Sequence, residues 1–407
     1  MKNIIVGQSG GPTAVINASL YGVITEGKRY PDLVGCVYGM HNGIEGFLKD
    51  DYENLSETLS DSDLELLKHT PAAYLGSCRY KLPEDLSSPF YPTLFEKLEA
   101  LNIGYFLYIG GNDSMDTVLK LSNYAKSIQS DVKIIGVPKT IDNDLFATDH
   151  TPGFGSAAKY VASTVLEIAH DAYIYKIPAV IIIEIMGRDA GWLTASSALA
   201  RTTYSQAPDL IYLPEVAFSK EQFLADVKDK LTKQKTVIVA VSEGIHDADG
   251  NYISSDSAVA DKFGHAQLSG AGKALEYLVR DEIGVKVRSI ELNVLQRCAG
   301  HIASRTDITE SFSLGQAAVK YAAEGKTGIM AAIERISNDP YQWVIKSADV
   351  ADIANEAKSV PVEWINEAGN DVTDEMIDYL RPLIIGEVSL QYKDGLPVYL
   401  PVDHLLH

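Results

Sequence analysis

Five short runs of β-branched and aromatic residues punctuate the chain: KNIIVG, GYFLYIGG, VKIIGVP, PAVIIIEIMG and KTVIVAVSEG. A loop of Gly, Pro, Ser or Thr follows each run, and in most cases residues at helical spacing come next. Runs that are apolar on both faces cannot lie in a sheet open to water on one side. The alternation therefore demands parallel strands covered by helices, the doubly wound α/β arrangement. Such sheets collect ligands at the carboxyl ends of their strands. The chemically unusual residues of this chain follow its strand-like runs directly. With 407 residues the chain exceeds the length at which one core stops growing, about 250–300 residues, so two α/β domains are expected. The expected division is a larger domain over 1–155, completed by part of 298–345, a smaller one over 156–297, and a C-terminal structural extension over 346–407.

Composition removes several function classes. The longest apolar run, IPAVIIIEIM at 177–186, is interrupted by Glu184 and is too short to span a bilayer. The N-terminal stretch is glycine-rich and polar where a secretory signal would be apolar, so a cytoplasmic protein is expected. Cys36, Cys78 and Cys298 lie far apart with no CxxC, which suggests buried thiols and neither a disulfide framework nor a zinc site. A formal charge of −20 repels nucleic acid and anionic lipid, and neither is expected as a partner. An anionic substrate would require basic residues gathered locally against that field.

The motifs test this requirement. GQSGGPTAVINASL (7–20) places Gly10 and Gly11 after a strand and Pro12 and Thr13 at an expected helix start, either a phosphate loop or an ordinary tight turn. It is not a Walker A loop, because no GK[ST] closes it. GGNDS (110–114) sets Gly110 and Gly111 between a buried strand and a helix, where N–H groups could hold a phosphate; Asp113 is an anion where an anion should bind. VPKTIDNDL (137–145) exposes Asp142 and Asp144 two residues apart, on one side of an extended loop. One could accept a hydroxyl proton and the other organise a metal shell; the alternative is a solvated turn. EIMGRDAGW leaves Arg188 in a glycine-framed turn before a helix, either a phosphate clamp or a surface arginine. VSEG leaves Glu243 at a strand end, accepting a sugar hydroxyl or capping a turn. In KVRSIELNVLQRCAG, Arg288 and Arg297 flank a strand-like run, and residue type alone favours both being solvated. With Arg79 of LGSCR, the cations Lys139, Arg188, Arg288 and Arg297 supply the local basicity required. Near the C-terminus, DVTDEMIDYL reads as a helix and LQYKDGLPVYL as a hairpin turning at Asp394-Gly395.

In their order, SGG, LGSCR, GGNDS, PKTIDND, MGRDAGW, VSEG and LQR resemble the phosphofructokinase family, over about residues 3–310. The resemblance implies two α/β domains with the active site in the cleft between them, Mg2+ as cofactor, and phosphorylation of fructose 6-phosphate on its 1-hydroxyl. It implies Asp142 as proton acceptor, and Thr140, Ile141, Met186, Gly187, Arg188, Glu243, Arg288 and Arg297 around the sugar phosphate. Gly10, Gly11, Arg79 and Gly111 would lie on the donor side, with Asn112 and Asp144 at the metal. ATP-using members resemble one another in GGDGS and PGTIDND, whereas this chain has Asp113 and Lys139 where those have glycines. That pair is similar to the pyrophosphate-dependent branch. A carboxylate at Asp113 would repel and exclude the α-phosphate of ATP, and Lys139 would stabilise the departing orthophosphate. An ATP-dependent kinase and a catalytically silent subunit are the alternatives. The first is opposed by Asp113 and Lys139, the second by the intact TIDND. A homo-oligomer, dimer or tetramer, is expected. Ala179 and Val294 stand where tetrameric ATP-using members carry an arginine and a histidine.

Overall fold

The computed structural model describes residues 1–253, 259–260, 266–267, 270–354 and 356–406; the stretch 246–270, whose polar and glycine-bearing sequence predicts a surface excursion, lies partly outside the described residues. In chain order the main strands are β1 (Lys2–Gln8), β2 (Val34–Met40), β3 (Tyr52–Asn54), β4 (Ile103–Gly110), β5 (Lys133–Pro138), β6 (Ala179–Ile185), β7 (Leu210–Tyr212), β8 (Thr236–Ser242), β9 (Lys286–Glu291), β10 (Ile329–Asn338) and β11 (Tyr341–Asp349). The helices used below are α1 (Ile16–Gly27), α2 (Asn112–Ser127), α3 (Ala271–Glu282) and α4 (Arg305–Ala323). All five runs picked out above are strands: β1, β4, β5, β6 and β8.

The chain divides into two compact units, Met1–Ser156 with Arg297–Ala357 and Gly386–His407, and Ala157–Gln296 with Lys358–Ile385. The segment 346–407 is thus shared between the two units. Its hairpin is present, with Tyr392–Lys393 pairing Leu396–Pro397 across Asp394 and Gly395, both at positive φ.

The first unit carries a sheet of order β11-β10-β5-β4-β1-β2-β3, parallel from β10 to β2 and antiparallel at both edges. Side chains alternate between its two faces. Ile4, Val6, Leu107, Ile109, Ile135 and Val137 pack against α1 and α4. Ile5, Phe106, Tyr108 and Ile134 pack on the other face against Met115, Val118 and Leu121 of α2. Two covered faces explain why the middles of these strands are apolar. The second unit carries the parallel sheet β9-β6-β8-β7. Among the described residues no helix is long and apolar enough to cross a membrane.

Three local expectations are corrected. Pro12 and Thr13 precede α1 rather than start it, because the helix begins at Ile16, with Val15 before it and no side-chain cap. Arg288 lies within strand β9 and Arg297 in the one-turn helix Leu295–Cys298, so the run between them is not a single strand. Of the cysteines only Cys78 is buried; Cys36 is half-buried, and Cys298 is exposed at the end of a turn whose Leu295 also faces water.

A fully buried amide pair locks the first unit near its glycine loop. Asn17 on α1 accepts from Gln8 Nε2 at 2.9 Å and from the Tyr74 amide at 3.0 Å, while its Nδ2 donates to the Thr70 and Ala72 carbonyls. Gln8 in turn accepts the Leu75 amide at 2.9 Å. Both side chains are 0 % exposed, so each lost partner would leave a desolvated polar group. Asn17→Ala is expected to lower the unfolding free energy by about 3 kcal/mol. Chemical denaturation checks it, and a loss below about 0.5 kcal/mol, the scale of ordinary surface changes, would show the network to be dispensable.

Candidate active site

From β1 the chain proceeds to β2 on one side of the sheet, and from β4 to β5 on the other, so the strand order reverses between β1 and β4. A crevice opens at such a reversal, outside the carboxyl ends. The two glycine loops stand there side by side: the Ser9 amide donates to the Ile109 carbonyl at 2.9 Å, and Gln8 pairs with Ile109.

Lys139 follows β5 directly. Its amide donates to Gly110 O at 2.9 Å, and its side chain runs back so that Nζ donates to Gly11 O at 2.7 Å. It is 3 % exposed. Gly10 has φ +77, and a Cβ there would lie 3.2 Å from Lys139 Nζ; one on Gly11 would lie 3.3 Å from Arg297 Nη1. The positive φ favours glycine at position 10, and the absence of side chains at 10 and 11 leaves room for two cations to approach the backbone. The LGSCR loop is tied to the same place, since Ser77 Oγ donates to Gly10 O at 2.6 Å and the Gly10 amide to Cys78 O at 3.3 Å. Arg79 is exposed at its edge. Burial pushes the Lys139 ammonium down to about 8; Asp142 and Asp144 oppose that shift, and Arg297 and Arg79 reinforce it.

Gly111 is the N-terminal cap of α2 with no side-chain cap, leaving its first amides for another acceptor. Asp113 is exposed in the first turn, where the helix dipole favours an anion. Asn112 Nδ2 donates to Asp144 Oδ2 at 3.1 Å, while Asn112 Oδ1 is buried with no hydrogen-bond partner. An oxygen in that condition beside a carboxylate suits a hard cation.

The Asp142-Asn143-Asp144 segment is more than a solvated turn. Asn143, at φ +55 and fully buried, accepts the Thr151 amide at 3.0 Å, and Thr151 Oγ1 donates to Thr140 O at 2.7 Å. With the middle residue pinned inward, Asp142 and Asp144 remain half-exposed. Thr140 Oγ1 accepts the Asp142 amide at 3.1 Å and donates to Asp142 Oδ2 at 3.3 Å, which orients the carboxylate. Ile141 beside them is buried.

In the second unit, Met186, Gly187 and Arg188 follow β6, and Glu243 follows β8, its neighbour. Their loops are interlocked. The Gly187 amide donates to Glu243 Oε1 at 3.3 Å, Ser242 Oγ donates to Gly187 O, and the Glu243 amide donates to Ile185 O at 2.9 Å. A Cβ on Gly244 would come within 1.8 Å of Arg188 O, so only glycine lets the loops meet. Glu243 thus braces the turn that carries Arg188. Arg288 stands apart from this group, exposed within β9 opposite Ile181.

The site motifs give no role to Gln8 or Asn17, nor to Glu184, whose buried carboxylate accepts the Gly270 and Gly272 amides at 3.1 and 2.7 Å at the start of α3. The available signal was a polar residue inside an otherwise apolar run.

A family model described as Phosphofructokinase matches residues 3–322. A curated relative from Halomonas elongata, a pyrophosphate–fructose 6-phosphate 1-phosphotransferase, is 41 % identical over 97 % of this chain and 94 % of its own. One of the same name from Xanthomonas campestris is 42 % identical over 99 % of this chain and 96 % of its own. The crystal structure of a pyrophosphate-dependent phosphofructokinase from Marinobacter aquaeolei, 39 % identical, superposes with a TM-score of 0.89 over 98 % of this chain and 96 % of that one.

Lys139 also makes a stability statement. Its amine, which protonates at about 8 in the fold against 10.5 normally, costs the folded state on the order of 3 kcal/mol while both states are charged. The cost is complete below pH 8 and is relieved as pH rises toward 10.5, because there the unfolded chain binds the extra proton. Lys139→Met is expected to be at least as stable as the parent at pH 7, with the difference narrowing toward pH 10. Thermal unfolding at the two pH values checks this, and a variant markedly less stable at pH 7 would contradict it.

Proposed function

The chain belongs to the phosphofructokinase family, and we propose that it transfers a phosphoryl group from pyrophosphate to the 1-hydroxyl of fructose 6-phosphate, giving fructose 1,6-bisphosphate and orthophosphate. The observation that carries the choice of donor is the buried Lys139 ammonium on Gly11 O, with Asp113 exposed at the start of α2. A small dianionic leaving group has no nucleoside to anchor it. A desolvated ammonium inside the glycine loops supplies the missing hold, because charge acts more strongly in a site from which water is excluded. Asp113 disfavours a donor with a third phosphate. The names of the relatives support the same reading.

In the proposed mechanism the Asp142 carboxylate, oriented by Thr140, accepts the proton of the sugar 1-hydroxyl as that oxygen attacks phosphorus. The bond from phosphorus to the bridging oxygen breaks, and orthophosphate leaves against Lys139. Gly10, Gly11, Gly111 and Arg79 hold the donor. Thr140, Ile141, Arg297, Met186, Gly187, Arg188 and Glu243 hold the sugar phosphate, and Arg288, which stands apart from Arg188 and Glu243 within one chain, contributes across the homo-oligomer. Asn112 Oδ1 and Asp144 would hold Mg2+, which neutralises charge on the donor oxygens. Pyrophosphate and the ester formed have comparable transfer potential, so the reaction runs in both directions, in glycolysis or gluconeogenesis. We place the protein in the cytoplasm as a homo-oligomer.

The test is turnover with pyrophosphate or ATP as sole donor, in the presence of Mg2+ and fructose 6-phosphate. Turnover with pyrophosphate is expected; turnover with ATP alone, or with neither, would overturn the reading. Asp142→Ser should lower kcat by about 10²–10⁴-fold while KM for the sugar stays within a few-fold, since general-base assistance acts in the transition state. The pyrophosphate kcat/KM should fall as pH rises above about 8, where free Lys139 loses its proton, and a pH profile flat to 9.5 would deny Lys139 that role.

A further inference from the structure

Among the described residues, one group outside the donor site brings three potential metal ligands together: one ligand atom from each of His41, Glu53 and His404 lies within 4.8 Å of the others. All three belong to the first unit. His41 follows β2, Glu53 lies on β3, and His404 belongs to the last turn of the chain, Asp403–Leu405. Residues this far apart in sequence give no spacing motif.

The hydrogen bonds around the group are those of a ligand set. His41 Nδ1 lies 2.7 Å from Asp51 Oδ1, and His404 Nε2 lies 2.8 Å from the Tyr74 carbonyl. A carbonyl can only accept, so His404 Nε2 carries the proton there and Nδ1 keeps its lone pair. The Asp51 carboxylate accepts the Nδ1 proton of His41 in a hydrogen bond, so Nε2 is the nitrogen that faces Glu53 Oε1, and a bound cation would replace the proton those two share without it. Metal-ligating histidines characteristically donate their other ring N–H to a carboxylate or a carbonyl in this way. Glu53 is held too: Thr58 Oγ1 donates to its Oε2 at 2.9 Å, and its Oε1 lies 3.2 Å from His41 Nε2. His41 is buried, while Glu53 and His404 are half-buried, which leaves a path for entry.

We propose that His41, Glu53 and His404 form a site for a divalent transition-metal ion of the zinc class, which fastens the C-terminal turn to β2 and β3, beside the loop preceding Arg79. Two imidazoles and one carboxylate suit Zn2+ or a neighbouring ion and suit Mg2+ poorly. A fourth position remains for water. The ion would join segments already in contact: the Asn42 amide donates to Leu75 O at 2.8 Å, the His404 ring packs on Tyr74 with centroids 4.5 Å apart, and Leu405 lies against Gly76. Loop 70–79 also carries Ser77 and Cys78, which bond to Gly10, so the site adjoins the supports of the donor loop without sharing a residue with it.

The test uses the full chain stripped with EDTA, titrated with Zn2+ alone in competition with a chromophoric chelator, with millimolar Mg2+ present to occupy weaker oxygen sites. One Zn2+ per chain is expected, together with a higher thermal midpoint and slower proteolysis of the C-terminal tail. His404→Ala and Glu53→Gln should abolish all three effects. Asp51→Asn, a change at an exposed carboxylate that binds only the far side of His41, should weaken Zn2+ about 10–100-fold. If His404→Ala does not fold, the Asp51→Asn arm decides. No stoichiometric uptake, or uptake that all three variants leave unchanged, would overturn the site whether or not the phosphoryl transfer proposed above is observed.

Discussion

The reversal of strand order beside β1 is the constraint from which the first unit follows. Parallel strands covered on both faces cannot expose chemistry along their length, because every side chain there is spent on packing. What remains is the row of carboxyl ends, and only where neighbouring connections depart in opposite directions is there room for a ligand. Both glycine loops occupy that one place, and Lys139 reaches it from the next strand. The buried amides of Gln8 and Asn17 maintain it, tying α1 and the loop before Arg79 to the strand that bears the first glycines.

Electrostatics then separates this place from the rest of the molecule. A chain of net charge −20 would repel an anionic donor at its surface. The cations near the glycines act locally, one of them desolvated, and two aspartates nearby keep it charged near neutral pH. The protein accepts a destabilising buried ammonium where an apolar side chain would pack at less cost, the usual compromise between stability and a working site. Asn112, the least expected letter of GGNDS, presents a buried oxygen with no internal partner.

How much could be read in advance depended on the range of the interaction. The five main strands were legible because burial on both faces leaves a continuous apolar run. The antiparallel edges β3 and β11 were not, because an edge strand is defined by what lies beside it. Asp142 and Asp144 were recognisable as a pair, but the residue between them proved to be the anchor, and nothing local distinguishes a buried Asn143 from a turn residue. The sequence admits both a substrate contact and a turn cap for Glu243; the bond it accepts from the Gly187 amide shows that it braces the turn whatever else it holds. The exposure of Cys298 defeated a rule of composition, because a one-turn helix buries too little to hide its own apolar residues.

By itself the sequence determined the α/β class, the positions of the glycine turns, and the residue types able to carry the chemistry, since periodicity and turn chemistry are properties of neighbouring residues. Tertiary structure alone decided that Lys139 is buried on Gly11 rather than solvated, that Arg288 sits apart from Arg188 and Glu243 within β9, and that His404 returns to His41 and Glu53. Each of these depends on which distant segments share a neighbourhood. That is settled by the order of strands in a sheet and the route of a returning tail, and no local pattern encodes either.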